Sequence, residues 1–415
     1  MFYLHRWRKL LGVSRDRITY LSQDTASANL PILTRTQIPF IIVDLGDVFP
    51  TPDNRSAQAR ISSMTDNAAL QKAQMIELNV EGQGLTELDL SAYPKLQHLY
   101  CSDNQLTELD LSQTPDLYKL WCPNNQLRQL DLSHTPNLFL IGCDNNHLSQ
   151  LDLSGLECLE YLFCKYNQLT HLEITQSPYV VNIACDNNQL NLLDIKNTFL
   201  LENLSCSSNQ LAELDLSDKP KLEGILCSDN RLTEVDLFNK ARLTTLLCHE
   251  NQLTDINLSN KVHLQHLACS YNHLTQLDLH HSPALEHLAC NNNRLEFLDL
   301  SKNRRLLSLY CQENLLCALD LSAMPNLEEF ACSHNKITAL ELTNKFKLMS
   351  LFCHNNQLTQ LDLTQAPNLK ELACADNAIT ELDLSGASQL VDIDVADNPL
   401  DTLDLSQTAI AKQLH

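Results

Sequence analysis

The sequence predicts a solenoid of short parallel strands rather than a set of globular domains. Three observations carry this prediction. Fourteen of the 16 cysteines fall on one series with a constant step of 21, from Cys101 and Cys122 through Cys353 to Cys374. A second series with the same step lies three residues later, from Asn104 to Asn398, with Gln83 in its first place. Between Met75 and Ile410 sixteen such units follow one another without an insertion. Self-similarity at this period means that each unit is one coil stacked on its neighbours. The 415 residues therefore count coils, although length alone would suggest two or three domains. At about 4.8 Å per coil, sixteen coils make a rod or arc roughly 75 Å long.

Within the unit, L-x-x-L-x-C-x-x-N-x-L-x-x-L-D-L-S-x-x-P-x, Leu96 to Asp116 is representative. The alternation around Leu99 and Cys101 predicts a short strand with those two side chains turned inward. Ten residues later Leu106, Leu109 and Leu111 repeat the spacing, which predicts a second short extended stretch on the opposite side of the coil. Half-turns of about ten residues leave no room for an α-helix of ordinary length. The asparagine sits where the chain leaves the first strand, so its amide is placed to satisfy backbone groups of a buried turn. Prolines at 94, 115, 136, 178, 220, 283, 325 and 367 mark the second turn. Residues 1–74 lack both cysteine and the repeat; Pro39 to Leu45 reads as a buried strand and Ser56 to Ala73 as a helix. An exposed first coil needs a cover, so a small α/β N-terminal cap is the expected role, with a targeting or partner-recognition signal in basic residues 1–20 as the alternative. Residues 411–415 form a short tail with no comparable cap, which leaves end-to-end self-association open there.

Through these motifs, over all sixteen units and about four-fifths of its length, the chain resembles the leucine-rich repeat family. The 21-residue unit with Cys in the strand and L-D-L-S afterwards is similar to the cysteine-ladder internalins of the internalin J type. The resemblance implies a bacterial right-handed superhelix with a parallel β-sheet on the concave face and short extended or 3-10 segments on the convex side. It also implies attachment to a protein or glycan partner.

Composition narrows the function classes. There are 51 acidic against 29 basic side chains, a net charge of -22, which argues against a nucleic-acid binder or an anionic-membrane binder. No stretch approaches the ~18 uninterrupted apolar residues of a membrane span, and no secretory signal follows the basic start. A cytoplasmic location is the expectation, with an exported effector or a non-classical surface route as alternatives. The charge is concentrated in one column, from Asp89 and Asp110 to Asp383 and Asp404, in which fifteen of sixteen residues are acidic. These lie between inward leucines and should point outward, held by nearby serine hydroxyls or turn amides. A cation ladder or a strip for a basic partner is the sharper alternative.

No C-x-x-C pair exists, so the ladder cysteines read as reduced core residues rather than zinc ligands. Cys158 and Cys317 lie off the series, at variable positions. His266 and His287 share a column in adjacent coils, but with no third converging ligand neither a metal nor a cofactor is expected.

The concave column between inward Leu and Cys contains Tyr100, Trp121, Phe163, Leu226, Leu247, Tyr310 and Phe352. Exposed strips of this kind mark interaction surfaces, and the neighbouring column adds His98, Lys119, Tyr161, His266 and His287 as a polar rim. If this reading holds, Trp121→Ala with Phe163→Ala leaves melting unchanged and weakens partner binding. The expected function is a non-enzymatic interaction scaffold, an internalin-like adhesin or effector. An acidic inhibitor of a basic partner is the alternative. A substrate-recognition part of an effector enzyme is less compatible, because the only long segment outside the repeats has no cysteine.

Overall fold

A computed structural model describes residues 67–410. It contains one short helix, α1 (Asn67–Lys72), and eighteen strands of three residues each. Sixteen of them form one continuous parallel sheet, from Glu77–Asn79 through His98–Tyr100 and Lys119–Trp121 to Asp392–Asp394. Every pairing is offset by one repeat: Leu99 faces Leu120, and Leu120 faces Ile141. The fold is a leucine-rich repeat solenoid. The expected strand at Pro39 to Leu45 lies outside the described residues, as does most of the expected helix; α1 is the end of that segment. The C-terminal tail from residue 411 lies outside them as well.

The strand is short because only its central residue and the cysteine after it face the core. Leu99, Leu120 and Ile141 are completely buried, as are Cys101, Cys122 and Cys143. The second half of each coil closes the core with its own leucines, Leu106, Leu109 and Leu111 in the second coil. On that side only His171–Glu173 and Leu192–Asp194 pair as strands. Elsewhere the second stretch is irregular, so it holds by packing more than by a ladder.

Each coil leaves its strand through a left-handed residue. Gly82 supplies it in the first coil at φ 64°. Fifteen later coils force it on other residues, from Asp103 at φ 56° to Tyr166, Glu250, His334 and Asp397. A non-glycine residue there is strained by about 1–2 kcal/mol. The N–H of this position nevertheless extends the ladder, Asp103 donating to Pro123 O at 3.0 Å, so stacking holds the strained turn in place. The next residue is the series asparagine. Asn125 Nδ2 lies 2.9 Å from Cys101 O and 3.1 Å from Cys122 O, while its Oδ1 accepts the Leu106 N–H at 3.0 Å. One side chain thus ties two successive coils.

The acidic column is largely exposed, and its aspartates are committed to the backbone. Asp110 Oδ1 accepts the Ser112 N–H, and Asp131 that of Ser133, both at 2.9 Å. The same bond recurs at Asp299 and Asp404. Hydrogen bonds from the following serine hold these carboxyls below the usual aspartate range. Local turn geometry therefore explains the column.

All fourteen ladder cysteines are buried free thiols, while Cys158 and Cys317 are exposed. Burial pushes the Cys227 and Cys290 thiols up to about 12. Because the thiolate is the reactive form, titration of the folded protein with an aromatic disulfide reagent is expected to give two fast thiols and fourteen that react only on unfolding. Uniformly fast reaction would disprove the buried ladder.

Candidate functional site

Three columns of side chains leave the outer face of the long sheet: the first residue of each strand, the third, and the residue two further on. The third lies in the middle, flanked on both sides and stacked above and below. That placement corrects the expected exposed strip. Phe163 is only 4 % exposed, Leu226 8 % and Leu247 6 %. Leu226 and Leu247 are register partners in adjacent strands, and Leu226 leans across Gly224, its Cδ1 within 4.0 Å of the point where a Cβ would stand. Phe163 lies under the edge of Trp121, with ring centroids 5.8 Å apart and planes at 72°. These three therefore pack as part of the sheet, and the expectation that Phe163→Ala leaves melting unchanged is withdrawn. Tyr100, Trp121, Tyr310 and Phe352 are half-buried and reach the surface.

The structure gathers the N-terminal part of the strip into a patch. In coil four the middle column carries Gly142, and a Cβ added there would fall 2.1 Å from Trp121 Cε3. The missing side chain is the seat of the indole. Alongside, Tyr118 stacks on Phe139 at 4.8 Å and 9°, and Phe139 meets Tyr161 edge-on at 5.1 Å. His98 adjoins Tyr118 at 6.3 Å. Offset and edge-to-face pairs of this kind favour association beyond their buried area. Tyr118 and Phe139 escaped the sequence reading because they precede the strand. Strict alternation assigns their position inward, whereas the entering turn tips it sideways. Their shared step of 21 was the available signal.

Farther along, Tyr310 donates to Glu329; Phe352 stands apart from the N-terminal patch. Lys119 remains half-buried beside Trp121. His266 and His287 stack face to face at 5.1 Å and 6°. Burial, and then its histidine neighbour, pulls His287 down to about 4. Burial lowers His266 as well, so both rings are neutral at pH 7. Nδ1 of His287 pairs with Ser308 Oγ at 3.2 Å, and Nδ1 of His266 is buried without a hydrogen bond. Among the described residues no group of three or more His, Cys, Asp or Glu side chains converges to hold a metal ion, and no helix is long and apolar enough to cross a membrane.

The repeat, its Asn and Cys ladders and its exposed sheet face are those of a leucine-rich repeat solenoid with a cysteine ladder. A family model described as leucine-rich repeats (two copies) matches residues 94–134. The functional domain of InlJ from Listeria monocytogenes, which includes a cysteine ladder, superposes with TM-score 0.74 at 28% identity, over 83% of this chain and 72% of that one. This chain resembles that internalin. A leucine-rich repeat protein of Leptospira interrogans follows with TM-score 0.67 at 24% identity, covering 81% and 88%. Internalin InlF of Listeria monocytogenes matches with TM-score 0.58 at 21% identity, covering 79% and 89%. The latter two establish the fold. No curated protein sequence matches the chain.

Proposed function

We propose that the chain is a non-enzymatic scaffold that binds a protein partner on the outer face of its long sheet. The anchor is the aromatic patch of coils two to five. One observation carries this reading: Trp121 is laid over the bare Cα of Gly142 and abuts Phe163, beside the Tyr118–Phe139–Tyr161 run. Large aromatic side chains held half-exposed on a rigid sheet are what binding hot spots require. The likeness to InlJ supports a binding role in place of catalysis.

The test is site-specific photo-crosslinking. A crosslinker at position 119 is expected to capture the partner, and one at Ser133 on the far side is not. Trp121→Ala with Tyr118→Ala should weaken capture about tenfold or more and leave the fold intact. Gly142→Ala, which unseats the indole, should weaken it as well. A glycan ligand would leave the protein crosslink absent at both positions. Capture through the acidic column, abolished by salt and indifferent to Trp121, would favour the acidic-inhibitor reading.

A further inference from the structure

A second recognition feature lies on the flank that leads into the long sheet, away from the aromatic patch. Successive coils place Lys221, Arg242, His263, Ala284 and Arg305 at one repeat position. Basic side chains thus gather on this flank although the chain as a whole is strongly acidic, with net charge -22. Here the surface sinks into an open groove of about 560 Å³. Val262, Pro283 and Ala284 line it between Arg242 and Arg305, with His263 among them. Arg242 is tied to Glu223 by an ion pair. Arg305 makes no ion pair among the described residues, so its guanidinium keeps all its donors for a ligand.

The two arginines are three coils apart, about 14 Å, which is the reach of roughly four residues of extended peptide. Guanidinium groups recognise carboxylates through paired N–H donors. We propose that this groove is a subsite for an extended acidic peptide segment. One carboxylate would sit on Arg305, and an apolar side chain would rest on Val262, Pro283 and Ala284. The Glu223–Arg242 pair sets the strength of the other end, because Glu223 competes with the ligand for Arg242.

The experiment uses the full chain and a dye-labelled, end-capped hexapeptide alternating glutamate and leucine, read by fluorescence anisotropy. Arg305→Gln is expected to weaken binding about tenfold, as loss of a charge-assisted pair should. Glu223→Gln should strengthen binding several-fold by releasing Arg242. Trp121→Ala should leave it unchanged, so this result is independent of the aromatic patch. The proposal is overturned if the peptide does not bind at millimolar concentration, or if Arg305→Gln changes nothing. Equal binding of the glutamine analogue would also overturn it, as would preference for a sulfated oligosaccharide over the peptide.

Discussion

Raising the pH from 8 to 11 under reducing conditions is expected to unfold the solenoid at room temperature. Every ladder thiol is buried, and burial raises its pKa; Cys101, Cys227, Cys290 and Cys374 are pushed up to about 12. An unfolded thiol begins to ionise near pH 9. Below that both states are protonated and the stability from the buried ladder is fully present. Above it the unfolded chain loses protons that the folded chain keeps, so folding weakens as pH rises toward the folded pKa. The slope is roughly 1.4 kcal/mol per pH unit for each thiol. With most of the fourteen contributing, one pH unit above 9 removes on the order of 10 kcal/mol, comparable with the whole stability of a typical protein.

Circular dichroism against pH should show one steep loss between about pH 9.5 and 11. Substituting valine at Cys206, Cys227, Cys248 and Cys269 should move it upward. Valine is the natural control, because the same position holds Val80 and Val395 in the end coils. A melting temperature unchanged through pH 11 would contradict the mechanism.

The second large effect is expected from Asn251→Leu, a near-isosteric change in the middle of the asparagine ladder. Asn251 Oδ1 accepts the Leu232 N–H at 2.9 Å, and its Nδ2 lies 3.0 Å from Cys227 O and 3.2 Å from Cys248 O. The two cysteine carbonyls keep a second donor after the change, Asn230 for Cys227 and Asn272 for Cys248. The Leu232 N–H has no other acceptor among the described bonds and is left buried and unpaired. An orphaned amide of this kind costs about 1–3 kcal/mol, and the amide's own lost bonds add to it. The expected destabilisation is about 3 kcal/mol in urea unfolding. It should be accompanied by faster hydrogen exchange at Leu232. Asn251→Asp should be as damaging, since a carboxylate keeps the acceptor but faces the cysteine carbonyls without a donor. Wild-type stability in Asn251→Asp would show that only the acceptor half of the amide matters.

A column of lysines shows where pattern reading stops. Thr114 and Thr135 fill an interior slot on the second side of the coil and bond the carbonyls of Leu111 and Leu132 at 3.0 Å. The same slot in later coils holds Lys219, Lys240, Lys261 and Lys345, which are 3 %, 1 %, 3 % and 0 % exposed. A polar position that tolerates Thr, Lys and Ala gives no periodic signal of burial. Only stacking shows that the lysine stem fills the space while Nζ turns back to a carbonyl two residues earlier, as Lys240 does to Phe238 O at 2.7 Å. Burial lowers these amines and nearby aspartates partly restore them, Asp236 acting on both Lys240 and Lys261.

By itself the sequence determined the solenoid, the 21-residue register, the inward cysteines and asparagines, and the outward acidic column. Each of these is a property of one coil repeated, and a period of two within the strand settles which way a side chain points. The tertiary structure alone decided how far each outward side chain stands above the sheet. That height depends on neighbours one or two coils away: the glycine at 142 that seats Trp121, the Trp121 edge that abuts Phe163, and the leucine pair at 226 and 247 that are register partners. The tilt of Tyr118 and Phe139 toward Tyr161, and the groove between Arg242 and Arg305, likewise arise from coils packed side by side. The sequence identified the side chains that leave the outer face of the sheet, and contacts between coils selected which of them stay exposed.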